Sequence, residues 1–314
     1  MDSVLERLPS GARVCVIRLR SLGDSVLATP AITLLKRERP DLKVAVVSEQ
    51  RFFQVFEGNP DIEAVLEPSL RQVRRWNPAL CLNLHGGARS AWMTLASGAD
   101  FRAGFLHHRC AAVYNVLIPT AQEILNINRK VHTAEHLASA MFFLGVEIQD
   151  VPRARLVAGQ EPDSRPAAPS VLIHPFASAP SKVWPADRFA SLAQELSARH
   201  GLEPVFLAGP GDDATPFSKW RVMQNASLSV VKRLLAAASL FVGNDSGPAH
   251  MAAALSVPVI ALFGSSDPVI WGPWKTESVV LRRDEGIHNI PVEEALAAAG
   301  RLRPQSAGTR KGPA

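Results

Sequence analysis

Short apolar runs alternate along the chain with longer stretches in which apolar residues recur at helical spacing. In the first half, residues 14–19, 44–47, 64–66 and 80–84 read as buried strands. Residues 25–39 read as a helix with Ala28, Ile32 and Leu35 on one face, and 132–144 as another that stops near Gly145. Residues 101–130 show neither period; they are rich in basic residues and histidine and are expected to be irregular. The alternation restarts after residue 169, with strands at 171–174, 204–208, 240–243 and 259–263 and helices at 186–200, 230–238 and 247–256. Short strands separated by helices predict βαβ units and parallel sheets. Three prolines within residues 159–169 mark a linker. The expected organisation is therefore an α/β domain at 1–158, a linker at 159–169, a second α/β domain at 170–300 and a basic tail at 301–314. Two doubly wound halves of this kind hold ligands at the carboxyl ends of their strands, so a cleft between them is the expected site.

Length supports two cores, since 314 residues exceed what one core usually organises. A chain 47% hydrophobic and 20% charged is not disordered throughout. Of the formal charge of +5, four units belong to Arg301, Arg303, Arg310 and Lys311, leaving +1 for the rest. That tail reads as a solvated end, with peripheral contact to an anionic membrane surface as the alternative. Cys15, Cys81 and Cys110 are too few and too scattered for a disulfide framework, which favours a reducing, cytoplasmic setting. The start of the chain lacks the pattern of a secretory signal, and no apolar run of about 18 residues is present. No stripe of basic and aromatic residues points to nucleic acid.

The strongest chemical signal is FVGNDSGPAHMAAAL, residues 241–255. A strand ends at Gly243 and a helix begins at Ser246–Gly247, where free N–H groups and the positive end of the helix dipole form an anion seat. His250 can reach back to the same anion, and Asp245 can accept from sugar hydroxyls; simple helix capping would explain one of these residues but not the group. Residues 174–189, HPFASAPSKVWPADRF, follow a strand and offer Lys182 as a point charge for phosphate, with Ser178 and Ser181 as hydroxyl donors. Residues 262–268, LFGSSDP, make another strand-to-loop turn in which Gly264, Ser265 and Ser266 can donate to phosphate. In the first half, VIRLRSLGDSVLATPAI at 16–32 puts Asp24 at a helix start, as a base for an acceptor hydroxyl or as an ordinary cap. His132, Glu135 and His136 match H-x-x-E-H, but no third ligand accompanies them. Residues 209–214 fit G-x-G-x-x-A, yet two aspartates stand where a pyrophosphate would sit.

Taken together and in this order, RSLGDSVLATPAI, SKVWPADRFASLA, GNDSGPAHMAAAL and LFGSSDP resemble glycosyltransferase family 9, the ADP-heptose–lipopolysaccharide heptosyltransferases. The resemblance runs from about residue 13 to 275. It implies a GT-B fold, a metal-independent inverting transfer from a nucleotide-diphosphate sugar, and no cofactor beyond ADP-sugar as co-substrate. Asp24 then looks like the catalytic base, and Lys182 like a contact to the donor diphosphate. Ser246, Gly247 and His250 resemble the phosphate-binding turn, and Asp245 the donor-sugar contact. Asp212 stands nearest to the acidic residue that holds the nucleoside ribose. On the acceptor side Asn83 and His85 replace the acidic residue and glutamine often seen, while Arg89 is retained. Arg18, Arg20, Arg102, Arg109, Arg129 and Lys130 are candidates to meet an anionic glycan or glycolipid acceptor, or are solvated. Two other classes stay open: a nucleotide-sugar epimerase of the same architecture, and a non-catalytic nucleotide-sugar binder.

Overall fold

The computed structural model describes residues 3–159 and 169–302. The chain divides into two compact units, Met1–Val157 and Ala158–Ala314. Of the expected linker, only Gly159 and Pro169 fall among the described residues, and the tail beyond Leu302 lies outside them.

Unit 1 is built on strands β1 (Arg13–Ile17), β2 (Lys43–Val47), β3 (Ala64–Leu66), β4 (Leu80–Asn83), β5 (Phe101–Phe105) and β6 (Val116–Ile118). All neighbours are parallel, in the order β3-β2-β1-β4-β5-β6. Its helices are α1 (Leu22–Leu27), α2 (Thr29–Glu38), α3 (Phe53–Phe56), α4 (Leu70–Trp76), α5 (Ala88–Ala96), α6 (Ala121–Leu125) and α7 (Thr133–Leu144). Helices cover both faces of the sheet, so the central strands are apolar at every buried position, as Val14, Cys15, Val16 and Ile17 are in β1.

Two expectations fail here. The single helix over 25–39 is two helices that meet at Ala28, which closes α1 and opens α2. Pro30 sits in the first turn of α2; a continuous helix would set its ring against the carbonyl of Val26. Residues 101–130 are not irregular either, since they supply β5, β6 and α6. Those strands lie toward one edge of the sheet and are only partly buried, so their apolar pattern is interrupted.

Unit 2 has strands β7 (Ser170–His174), β8 (Glu203–Ala208), β9 (Arg221–Gln224), β10 (Leu240–Asn244), β11 (Val259–Phe263) and β12 (Ser278–Arg282). Its helices are α8 (Ala186–His200), α9 (Leu228–Ala237), α10 (Gly247–Ala254), α11 (Pro268–Trp271) and α12 (Val292–Arg301). The parallel order β12-β11-β10-β7-β8-β9 is the winding of unit 1 read from the other edge. Trp184, Phe189, Phe206 and Phe217 fill its core, with the rings of Phe206 and Phe217 stacked at 4.3 Å. The Trp184 indole, fully buried, donates to the carbonyl of Ile290 at 2.9 Å.

In each unit the strand order reverses direction at one place: between β1 and β4, and between β7 and β10. Doubly wound sheets bind ligands outside the carboxyl ends of the strands at such a point. The chain segments there are 18–24 and 83–89 in unit 1, and 174–182 and 244–250 in unit 2.

Candidate active site

In unit 2, β10 runs directly into α10 through Asp245 and Ser246. Ser246 is the N-cap, in an extended conformation, but its hydroxyl makes no capping bond. It is turned instead to His174, whose Nδ1 lies 3.0 Å from Ser246 Oγ. Gly247 opens the helix and Pro248, which has no N–H to satisfy, follows it. The Ser246 side chain thus does not cap the start of α10, which leaves the positive end of the helix available to an anion. His250, buried, lies one turn further in.

Lys182 reaches this helix start. Its Nζ stands 2.9 Å from Asp245 Oδ2, and the Ser266 hydroxyl donates to the same oxygen at 2.6 Å. The loops that carry these groups are tied together. Ser181 and Ser265 hydroxyls meet at 2.9 Å, and the Ser265 N–H donates to the Ser181 carbonyl at 3.3 Å. A Cβ on Gly264 would come within 2.0 Å of that carbonyl oxygen, so glycine is needed for the close approach of the two backbones. Gly264 therefore shapes the site by its backbone, and Ser266 spends its hydroxyl on Asp245. Asn244 fixes the third loop: its carboxamide accepts from Trp184 N–H at 3.1 Å and donates to the Pro175 carbonyl at 2.8 Å.

From the sequence His174 reads as the end of a strand and Asn244 as part of the turn after Gly243, whereas β10 runs on through Asn244. Burial lowers His174 to about 4, with Asp212 opposing the shift, so the imidazole is neutral near pH 7. Asp212 closes the turn after β8, accepting from Gly209 N–H at 2.7 Å. Ser178 is exposed and lines an open pocket of about 420 Å³ with Ala177, Ala179, Pro180 and Val183.

In unit 1, Asp24 is the third residue of α1 rather than its cap. Its Oδ2 accepts from the Ser21 N–H at 3.2 Å and from the Ser21 hydroxyl at 3.0 Å, closing a capping box. Its Oδ1 pairs with the guanidinium of Arg18, which also donates to the Leu84 carbonyl. Both readings of Asp24 thus meet in one residue: it caps a helix and presents a half-buried carboxylate at the carboxyl end of β1. Burial lowers the Arg18 guanidinium from its ordinary value, with the Asp24 charge opposing.

His85 shares this end of the sheet. Burial, followed by the charges of Arg18 and Arg20, pushes it below its ordinary value. Asn83, buried, accepts from the N–H groups of His85 and Gly86 and donates to Ser90 and Tyr114 hydroxyls. His108 packs on Gly86, and burial with the neighbouring His107 takes it to about 4. Arg20 is exposed, while Arg89 is exposed and donates to the Pro68 carbonyl at 3.1 Å.

Other candidates serve the fold. Arg102 donates to the carbonyls of Val113 and Ala99, and Arg129 pairs with Glu135. The H-x-x-E-H segment is the capping box of α7: Ala134 N–H donates to His132 Nδ1, and His132 N–H to Glu135. His136 stacks on Phe105 at 4.2 Å. Among the described residues no group of three or more His, Cys, Asp or Glu side chains is placed to hold a metal ion, and no helix is long and apolar enough to cross a membrane.

Two six-stranded parallel sheets with one shared winding, each with polar groups gathered at its switch point, are the GT-B class of fold. The chain belongs to glycosyltransferase family 9 (heptosyltransferase), whose model matches residues 69–294. It is 25% identical over 339 residues to lipopolysaccharide heptosyltransferase 3 of Escherichia coli (strain K12), covering 92% of this chain and 97% of that one. Among solved structures it is similar to the family 9 glycosyl transferase of Veillonella parvula, with a TM-score of 0.82 at 21% identity, over 94% of this chain and 98% of that one. It is also similar to the E. coli heptosyltransferase WaaC with ADP, with a TM-score of 0.76 at 20% identity, over 92% and 99% of the two chains.

Proposed function

We propose that the protein transfers a heptose from ADP-heptose to a lipopolysaccharide-core or related anionic glycan acceptor, in the cytoplasm, inverting the anomeric carbon and using no metal. The observation that carries this reading is the convergence of Lys182 on the open start of α10, with Nζ at 2.9 Å from Asp245. The family supplies the class of sugar, and the relative with bound ADP supplies the nucleotide.

In this reading the donor diphosphate takes the α10 seat formed by Ser246 and Gly247, flanked by His250. Lys182 turns part of its charge to the phosphates, and Ser178 and Ser181 add hydroxyl donors. Asp245 accepts from the sugar, and Asp212 from the ribose. His85, Arg89 and Arg20 hold the acceptor. The acceptor oxygen attacks the anomeric carbon, the bond from that carbon to the diphosphate oxygen breaks, and the acceptor proton passes to Asp24. Charge builds on the departing ADP, where the helix N-terminus and Lys182 stabilise it; fixed dipoles do this at no cost of reorganisation. Ser21 occupies Oδ2 of Asp24 with two hydrogen bonds and Arg18 takes one lone pair of Oδ1, leaving the other lone pair of Oδ1 for the proton.

The test is release of nucleoside diphosphate from a panel of nucleotide sugars, with and without acceptors, in EDTA. Acceptor-dependent release from ADP-heptose that survives chelation, with product of inverted anomeric configuration, is the expected result. Sugar rearrangement without acceptor would instead mark an epimerase. Tight nucleotide-sugar binding with no turnover on any acceptor would mark a binder. Activity abolished by EDTA and restored by manganese would overturn the metal-free step.

A further inference from the structure

Unit 1 has an outward face that the transfer chemistry does not use. Residues 68–99 contain no aspartate or glutamate, and besides Arg89 of the proposed acceptor group they carry Arg71, Arg74 and Arg75. They form α4, β4 and α5, and the two helices pack side by side. The inward sides of these helices, through Val73 and Met93, join the core with Cys15, Ile17 and Cys81. The outward sides differ from an ordinary solvated helix. Arg71, Arg74 and Arg75 are exposed and form no ion pair among the described residues. The same two helices expose Trp92, at 62%, Leu70 at 50% and Leu95 at 42%. The nearest carboxylates along the sequence, Glu67 and Asp100, fall outside the two helices, and Glu67 is engaged by Gln72.

An indole left in water on a helix pair that also exposes two leucines and three guanidinium groups without an ion pair matches what a lipid–water boundary accepts: aromatic rings at headgroup level and arginines on lipid phosphates. We infer that the α4–α5 face docks the protein on a membrane surface bearing anionic headgroups. A second copy of the chain is the poorer occupant, because a two-fold contact through this face would bring arginine against arginine. The inference does not depend on the transfer reaction, since none of Arg71, Arg74, Arg75 and Trp92 belongs to the proposed site.

The experiment is sedimentation of the full chain with phosphatidylcholine vesicles, with and without phosphatidylglycerol, at low and high salt. Binding is expected with phosphatidylglycerol and weakens with salt. Replacing Arg71→Glu, Arg74→Glu and Arg75→Glu together should lower partitioning at least about a hundredfold, and Trp92→Ala about tenfold. Bromine-labelled acyl chains should quench the fluorescence of the wild type more than that of Trp92→Phe, an arm that stands even if the triple variant fails to fold. A variant with Arg303, Arg310 and Lys311 changed to Gln should still bind. The inference is overturned if the triple variant and Trp92→Ala, both folded, bind like wild type. It is also overturned if the tail variant alone abolishes binding, or if Trp92→Ala dissociates a dimer without touching vesicle binding.

Discussion

Each unit places a cation beside a carboxylate at its switch point, Arg18 with Asp24 and Lys182 with Asp245, yet the two pairs leave different chemistry behind. Asp24 lies inside the first turn of α1, where it binds Ser21 and fills the helix start with the chain's own negative charge. Asp245 lies one residue before the cap of α10 and is held by Lys182 and Ser266, while the Ser246 hydroxyl is drawn away by His174. The helix start is capped by its own capping box in unit 1 and not capped by its N-cap side chain in unit 2. One winding can therefore yield a base or an anion seat, depending on where a single carboxylate falls relative to the first helical turn.

The largest effect expected from this difference is on turnover. Asp24→Asn keeps one acceptor oxygen, enough for Ser21, but gives up the ion pair with Arg18 and removes the proton acceptor, so kcat should fall by at least about a hundredfold in a steady-state assay. A fall of less than about threefold would reduce Asp24 to a helix cap. Lys182→Ala should come next, with kcat/KM for the donor down about thirtyfold as leaving-group stabilisation is lost. It also leaves Asp245 buried without its cation, so the melting temperature should drop as well.

Much of this was legible in the sequence. The central strands of both units were, because strands covered on both faces are unbroken apolar runs. The α10 turn was legible too, since strand, Asn-Asp-Ser-Gly-Pro and helix follow one another without interruption. The edges were not. β9, RVMQ, alternates no apolar face and is at best half-buried, and β12 and α12 fall in the last stretch, where no period was read. His174 escaped because a histidine at the end of a buried strand looks like a strand residue; only the fold places it against Ser246, 72 positions away. Gly264 was read as a donor to phosphate, whereas its lack of a side chain is what lets two loops meet.

That last point gives a smaller prediction. Gly264→Ala would force a Cβ to within 2.0 Å of the Ser181 carbonyl, so the 180–182 turn must move. Stability should fall by about 1–3 kcal/mol in denaturant titration, with donor KM rising more than kcat falls. An unchanged KM would detach that turn from donor binding. Smallest is a dependence on pH. His174 is held to about 4 against an ordinary 6.5, so between these values the unfolded chain binds a proton that the folded one refuses. Its contribution to stability is present above about 6.5 and is lost as pH falls toward 4. His174→Asn keeps a donor for Ser246 but does not titrate, so the slope of melting temperature against pH should become shallower while donor KM stays close to wild type. An equal slope would show that His174 is not protected in the native state.

The division of labour between the two switch points is tested most directly by calorimetric titration of ADP into Asp24→Asn and Lys182→Ala side by side. The account predicts wild-type affinity for Asp24→Asn and at least about tenfold weaker binding for Lys182→Ala. Loss of ADP binding in Asp24→Asn, with Lys182→Ala unaffected, would contradict it.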